Sequence, residues 1–222
     1  MTVVSDLNMI WSLGGWYWLP ERSVPSRRGA GLGLPDGVGE GFGGNGDVAG
    51  LWFHSKGTDL SKSYPTLQRI VLAEDAETLD MVEASLLPSE FLPLPKFLGR
   101  KLQHISMIAG MGCDAMDGRI YVSGNRLRLS YNPENSPVLS QFKDAFGRVA
   151  ALTDTKIMEL KRLFTVHPTG GAGIGRVVDA TGQMFGASGL YIADASAFPR
   201  PLGCAPSLTI AAWARQVAHH IH

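Results

Sequence analysis

The segment from His167 to Gly171, which reads His-Pro-Thr-Gly-Gly, combines a titratable side chain with a restricted backbone. Pro168 holds the preceding histidine in an extended conformation, and the two glycines allow the chain to turn sharply behind it. A neutral imidazole accepts a proton near pH 7, so His167 is a candidate general base. A histidine taken alone is more often a structural residue, but the residues around this one favour the catalytic interpretation.

Three further positions have residue types that could do chemistry. Asp194 ends the predicted strand 189–193, a usual place for a carboxylate that contacts a ligand. The last helix begins near Ser207, so its first backbone N–H groups are unpaired and form the positive end of the helix dipole. Glu74 lies in an acidic cluster, for which a solvated strand end and a second base are equally good interpretations.

Neither glycine cluster matches a phosphate-binding motif. Gly171-Ala-Gly-Ile-Gly175 and Gly29-Ala-Gly-Leu-Gly33 both read G-x-G-x-G. Dinucleotide sites instead use G-x-G-x-x-G directly after an apolar strand, and no Walker A pattern occurs either. The sequence therefore predicts no autonomous nucleotide-binding unit in this chain.

Composition and charge exclude several classes of protein. The 222 residues include 20 basic and 20 acidic side chains, and zero net charge argues against nucleic-acid binding. No apolar run reaches the roughly 20 residues of a membrane span. Residues 1–19 lack a basic region and contain Asp6, which is untypical of a signal peptide, so we expect a cytoplasmic protein.

The cysteines and the C-terminal histidines indicate no metal site. Cys113 and Cys204 match no zinc spacing, and we expect two buried or half-buried thiols. His219 and His220 project about 100° apart on a helix, so a frayed, exposed end is the better interpretation.

The elements that must position these residues can be predicted from periodicity. Branched residues indicate strands at 67–73 and 104–109, and residues 119–131 read as a hairpin with one buried face that includes Leu127 and Leu129. Ser136-Pro137 is typical of a helix start. An apolar stripe of helical period follows it: Val138, Phe142, Ala145, Phe146 and Val149.

Two more helices are predicted towards the C-terminus. The first runs from Asp154 to Phe164. The second begins near Ser207 and has an apolar stripe that we expect to be buried. Its members are Ile210, Trp213, Ala214, Val217, Ala218 and Ile221.

Taken in order, the segment 167–218 resembles the C-terminal signature of the glucose–methanol–choline (GMC) oxidoreductases, which are FAD-dependent alcohol oxidases and dehydrogenases. The matching motifs are His167-Pro-Thr-Gly-Gly171, Val178-Asp179, Gly182-x-x-x-Gly186, Gly189 to Pro199, and Ala205-Pro206-Ser-Leu-Thr-Ile210. Upstream, the loop Gly39-Glu-Gly-Phe-Gly-Gly-Asn-Gly-Asp47 is similar to the glycine–asparagine loop of the cholesterol-oxidase-like branch. Val71-Leu-Ala-Glu74 is similar to the strand that carries that branch's active-site glutamate.

This resemblance implies an α+β fold. An antiparallel substrate-domain sheet with flanking helices is joined to the C-terminal strand and helix of an α/β FAD-binding domain. Residues 1–47 would be a remnant with the glycine-rich loop that joins the two domains. Residues 48–164 would form the substrate-binding domain, and residues 165–222 the C-terminal segment of the FAD domain.

The resemblance also implies residue roles. His167 would act on the hydroxyl group of an alcohol, which could be sterol-like, with Glu74 as a second catalytic residue. FAD would accept the hydride, and O₂ or another acceptor would reoxidise it. The cofactor would be bound by Gly170, Gly171, Asp194, Ala195, Pro206 and Ser207.

The chain departs from the GMC pattern in two ways. Ala205 stands where the family has a second polar residue, a histidine or asparagine, beside the catalytic one. The N-terminal half, with its G-x-G-x-x-G motif, has no counterpart here. Two alternatives therefore stay open, namely a non-catalytic subunit that complements a separate FAD-binding chain and a small binding module that kept only the substrate-domain sheet.

Overall fold

The computed structural model describes residues 2–4, 35–54, 66–72, 79–85, 102–124, 126–160 and 165–221. Within these ranges the α-helices are α1 (Pro137–Leu152) and α2 (Ser207–Ala218). The strands are β1 (Thr2–Val4), β2 (Glu40–Phe42), β3 (Val48–Phe53), β4 (Thr66–Ile70), β5 (Leu79–Ser85), β6 (Ile105–Gly112), β7 (Gly118–Ser123), β8 (Arg126–Ser130), β9 (Lys156–Glu159) and β10 (Leu190–Ile192). They form three antiparallel sheets, so the predicted α+β class with an antiparallel sheet is confirmed.

The largest sheet has five strands in the order β4-β5-β6-β3-β9. One of its faces packs against α1, because alternate strand residues point to the same side and are apolar. The buried strand residues are Trp52, Leu79, Met81 and Ile108. On α1 the structure buries all five residues of the predicted stripe. Phe142 fits because β6 has a glycine at position 110, where a β-carbon would overlap its ring.

The predicted hairpin forms, but neither of its faces is buried. β7 and β8 pair with Val122 opposite Leu127, and β2 extends them to a three-stranded sheet. Leu127 and Leu129 are 44% and 56% exposed. The prediction that these leucines face a core was wrong, because alternation along a strand shows two different faces but not what packs on either.

The predicted helix from Asp154 to Phe164 is wrong over its described part. α1 ends at Leu152, and Asp154 has φ +50°, which stops the helix. Residues 156–159 then pair with the edge of β3 as strand β9. The backbone groups of β9 form inter-strand hydrogen bonds with β3. Because a helix of so few residues is only marginally stable, these hydrogen bonds favour the strand. Residues 161–164 lie outside the described residues.

The C-terminal segment has a small core of its own, centred on Val177, Val178 and Ile192. β10 pairs antiparallel with β1, and the Trp213 indole N–H donates to Ile192 O at 3.1 Å, which ties α2 to β10. Val217 of the predicted α2 stripe is buried and Ala218 and Ile221 are exposed, while three residues are half-buried, namely Ile210, Trp213 and Ala214. The expected burial of this stripe was therefore wrong for Ala218 and Ile221.

Both cysteines are exposed free thiols, which corrects the expectation that they are buried or half-buried. Among the described residues, no helix has the length and apolar character needed to cross a membrane.

Candidate active site

Two loops that lie about 120 residues apart in sequence meet at His167. Gly43 and Thr169 exchange backbone hydrogen bonds, with Gly43 N donating to Thr169 O at 2.9 Å and Thr169 N donating to Gly43 O at 3.0 Å. Gly39 N donates to Gly171 O at 2.6 Å. The glycine loop 39–47 therefore lies directly against the loop 165–171, and together they form one rigid support for the histidine.

The close approach of the two loops requires a glycine at position 170. Its φ is +80°, and a β-carbon at this position would overlap the carbonyl oxygen of Gly41. Its neighbour Gly171 also has a left-handed φ, +101°. The sharp turn expected behind the histidine is thus present, and it brings Gly170 N to Ala195 O at 3.0 Å.

His167 is paired with a buried carboxylate. Its Nδ1 lies 3.0 Å from Asp47 Oδ1 and 3.1 Å from Asp47 Oδ2. The Asp47 side chain is 6% exposed and the His167 side chain 23% exposed, so the acid is buried while the imidazole is partly exposed. Sequence reasoning placed Asp47 in a loop motif but missed this contact, because no sequence pattern links residues so far apart.

The same carboxylate also holds the backbone around the histidine. Asp47 Oδ2 accepts hydrogen bonds from Val166 N at 2.8 Å, from His167 N at 3.1 Å and from Thr165 Oγ1 at 2.9 Å. Thr169 Oγ1 donates to His167 O at 3.0 Å. The ring and the main chain of His167 are therefore both positioned by hydrogen bonds.

The neighbouring Asn45 connects the glycine loop to the chain before α2. Asn45 is fully buried, and its Nδ2 donates to Cys204 O at 2.9 Å. Its Oδ1 accepts from Leu202 N and from Gly203 N, both at 3.0 Å. This side chain thereby anchors the segment that leads into Ala205, Pro206 and the helix start at Ser207.

The start of α2 has no side-chain cap. Pro206 occupies the N-cap position, and it is buried, whereas Ser207, Leu208 and Thr209 are exposed. The first N–H groups of the helix thus have no side-chain acceptor and remain available to an anionic or carbonyl group.

Asp194 acts locally in the structure. It is 8% exposed, and its Oδ1 accepts from Ser196 N at 2.9 Å, which caps the short 3₁₀ turn Ala195–Ala197. This turn contacts the histidine loop through the bond from Gly170 N to Ala195 O. The structure therefore brings Gly170 and Ala195 together.

A second polar cluster lies at the opposite end of β3. His54 Nε2 is 2.9 Å from Glu83 Oε1 and 2.8 Å from Ser106 Oγ, and Gln68 Nε2 donates to Glu83 Oε2 at 2.7 Å. Since one ring nitrogen contacts both the acid and the hydroxyl, the cluster cannot relay a proton between opposite nitrogens as a serine triad does. β3 separates it from Asp47 by about 20 Å, so it is not part of the His167 site.

Comparison with known protein families finds one similarity in the C-terminal half of the chain. Residues 110–214 match the family model described as GMC oxidoreductase. The match covers just under half of the chain and supports a relationship to this family. The GMC match includes all of the site residues proposed from the sequence except Glu74, whereas the glycine loop with Asn45 and Asp47 lies outside it.

Solved structures share the fold. A pyridoxine 4-oxidase from Mesorbium loti matches with a TM-score of 0.55 and 18% identity over 84% of this chain. A formate oxidase from Aspergillus oryzae RIB40, studied for FAD modification, matches with a TM-score of 0.56 and 13% identity over 83% of this chain. The chain spans only 44% and 47% of these two proteins, respectively.

For two positions named from the GMC resemblance, the structure shows no contact with the His167 site. Glu74 lies outside the described residues. Ala205 is exposed and has no polar side-chain atom, so it contributes no second hydrogen bond beside His167.

Proposed function

We propose that the chain is the C-terminal portion of an FAD-dependent, GMC-type oxidoreductase that acts on the CH–OH group of an alcohol. The observation that carries this proposal is the pairing of His167 with a buried acid, in a loop held against the glycine loop 39–47. A positioned, partly exposed imidazole is suited to take the proton of a hydroxyl group. We propose the cholesterol-oxidase-like branch and a bulky, apolar alcohol, on the similarity of the loop 39–47.

The residues near His167 also fit a flavin. FAD, when bound, would supply the acceptor for the hydride that leaves the alcohol carbon. The uncapped start of α2 presents N–H groups and positive dipole to a site where negative charge develops, and so fits the electron-rich edge of such a ring. Gly170 and Gly171 let backbone approach closely, and the turn at Ala195 lies against them. We therefore propose Gly170, Gly171, Asp194, Ala195, Pro206 and Ser207 as the cofactor-binding residues.

The domain division is part of this proposal. Residues 1–47 would join the two domains, residues 48–164 would bind the substrate, and residues 165–222 would complete the FAD domain. The two separate cores support a division after α1 and β9, because one core packs beneath the five-stranded sheet and the other lies between β10 and α2.

A second candidate function is supported by the size of the chain and by its exposed apolar surface. The chain spans less than half of the pyridoxine 4-oxidase and of the formate oxidase. Leu208 on α2 is 86% exposed, and Ala218 and Ile221 at the end of the predicted stripe are exposed too. We propose as the alternative that the chain is a subunit that works only with a separate FAD-binding chain, to which α2 would contribute apolar contacts.

Both candidates are tested by titrating the purified chain with FAD and recording the visible spectrum. A stoichiometric, protein-bound flavin band shows that the chain holds FAD alone, and its absence favours the complementing subunit. Alcohol oxidation is then measured for the flavin-loaded protein, or after co-expression with an FAD-binding chain. His167→Ala should lower turnover by about 10²–10⁴-fold, the usual contribution of a general base. His219→Ala, in the exposed C-terminal end, is the matched control, and full turnover in His167→Ala contradicts the catalytic assignment.

A further inference from the structure

Asp47 contacts both the backbone around His167 and its ring. Oδ2 accepts the N–H groups of Val166 and His167 and the hydroxyl of Thr165, at 2.8, 3.1 and 2.9 Å. His167 Nδ1 lies 3.0 Å from Oδ1 and 3.1 Å from Oδ2. The carboxylate therefore holds the loop through Oδ2 and faces the ring nitrogen with both oxygens.

The contact of the carboxylate with Nδ1 determines which ring nitrogen carries the proton. An ionised carboxylate only accepts hydrogen bonds, so the nitrogen that faces it must be the N–H donor. In the neutral imidazole, one nitrogen is a donor and the other has the free lone pair. His167 therefore carries its proton on Nδ1, and the lone pair lies on Nε2.

We propose that Asp47 is a positioning residue that selects the Nδ1–H tautomer of His167 and aims Nε2 at the substrate. The catalytic consequence rests on the proposed function, whereas the tautomer does not. The substrate hydroxyl proton moves to Nε2, while Nδ1 keeps its own proton. The imidazolium that forms then lies 3.0 Å from a carboxylate that is already in place. That carboxylate stabilises the charge without any rearrangement of the site.

An isosteric substitution separates positioning from loop structure. In Asp47→Asn, the amide oxygen must take the Oδ2 position, because three donors converge there. The amide nitrogen then occupies the Oδ1 position and can only donate towards His167 Nδ1. The variant keeps the loop contacts but replaces the nearer acceptor of Nδ1 by a donor, which favours the proton of the neutral ring on Nε2 and removes the lone pair from that nitrogen.

Nuclear magnetic resonance of the chain with ¹⁵N-labelled histidine measures the tautomer directly. The measurement needs neither a bound cofactor nor an activity assay. The chain has six histidines, and the His167 signals are assigned by their loss in His167→Gln. The matched control is Asp179→Asn. Asp179 also accepts several loop hydrogen bonds through one oxygen, from Thr181 N at 2.8 Å and from Gln183 N at 3.1 Å, but neither partner is a histidine.

We expect the wild-type chain and Asp179→Asn to show the Nδ1–H form, and Asp47→Asn to show the Nε2–H form. An Nε2–H form in the wild-type chain overturns the proposal even if Asp47→Asn does not fold. An unchanged tautomer in a folded Asp47→Asn protein overturns it as well. These results do not depend on whether His167 is catalytic.

The catalytic consequence is measured on the flavin-loaded protein. Asp47→Asn should lower kcat by about 10²-fold or more and change its pH profile, since the base is lost rather than the substrate site. A kcat within twofold of the wild type, in a protein whose tautomer has switched, overturns the positioning role. If His167→Gln also keeps full turnover, then the proposed function fails while the assignment of the tautomer stands.

Discussion

Replacing Asn45 tests whether one buried amide joins the two halves of the candidate site. Asn45 lies in the glycine loop, and its side chain makes three hydrogen bonds to the segment 202–204. Its own carbonyl accepts from Gly112 N at 3.1 Å, at the end of β6. Asn45→Ala removes all three side-chain bonds but leaves the carbonyl contact in place.

The expected loss of stability can be worked from these contacts. Each hydrogen bond has a net value of about 0.5–1.5 kcal/mol, so three account for about 3 kcal/mol. Asn45 also has φ +55°, a left-handed conformation that alanine adopts at an additional cost of about 1 kcal/mol. Asn45→Ala should therefore lose about 4 kcal/mol in the free energy of unfolding, and Asn45→Gly about 3 kcal/mol, because glycine adopts this φ without strain.

Urea unfolding followed by tryptophan fluorescence measures the global effect, since Trp52 is buried in the main core. Amide hydrogen exchange at Leu202 and Gly203 measures the local one, because Asn45 Oδ1 is the acceptor for both amides. Both amides should lose protection in either variant, and the two variants should differ by about 1 kcal/mol in unfolding free energy.

The reasoning is refuted if Asn45→Ala costs less than about 1 kcal/mol, below the value of a single typical hydrogen bond, and both amides stay protected. Greater stability of Asn45→Ala than of Asn45→Gly would separately contradict the argument from φ.

Three further outcomes are expected. Gly170→Ala should lose more than about 2 kcal/mol in unfolding free energy, from its left-handed φ and its overlap with a backbone carbonyl, whereas Gly147→Ala on α1, where nothing lies within 4 Å, should be neutral or stabilising in the same urea assay. Glu83→Ala should cost about 1.5–3 kcal/mol by thermal or urea unfolding, because it removes the charged acceptor of the hydrogen bond that Gln68 donates; a loss equal to that of an exposed residue such as Glu134→Ala would contradict this. The hydroxyl of Thr181 and neighbouring backbone N–H groups lower the pKa of Asp179 below its ordinary 3.8. The stability that Asp179 contributes is therefore present above pH 3.8 and is lost as the pH falls through the lowered pKa of the folded state. The stability difference between the wild type and Asp179→Asn should close in acid, and a pH-independent difference would show that the carboxylate charge is irrelevant.

The elements with a strong apolar period were predicted correctly. The stripe on α1 is fully buried, since five apolar residues at helical spacing define one face whatever that face packs on. The predicted hairpin also formed, as β7 paired with β8, because the sequence between the two strands is typical of a tight turn.

The predictions of conformation and burial were wrong where these depend on contacts with distant parts of the chain. Residues 156–159 became a strand because β3 offered an unpaired edge, which local sequence does not show. The leucines of β8 have the right spacing for burial but remain exposed, and so do Ala218 and Ile221 at the end of the α2 stripe. Periodicity identifies an apolar face, but the rest of the fold decides whether anything lies against it.

The amino-acid sequence alone identified the candidate catalytic and binding residues of the C-terminal segment. They are the histidine before Pro168, the two glycines after it and the helix start at Ser207. These are local features, set by residue type and by neighbours within a few positions. Only the tertiary structure decided what His167 can do. Asp47 lies 120 residues away along the chain, and antiparallel pairing with the glycine loop brings its carboxylate to the imidazole. The choice of the ring nitrogen that is free to accept a proton therefore depends on a long-range contact that no local pattern specifies.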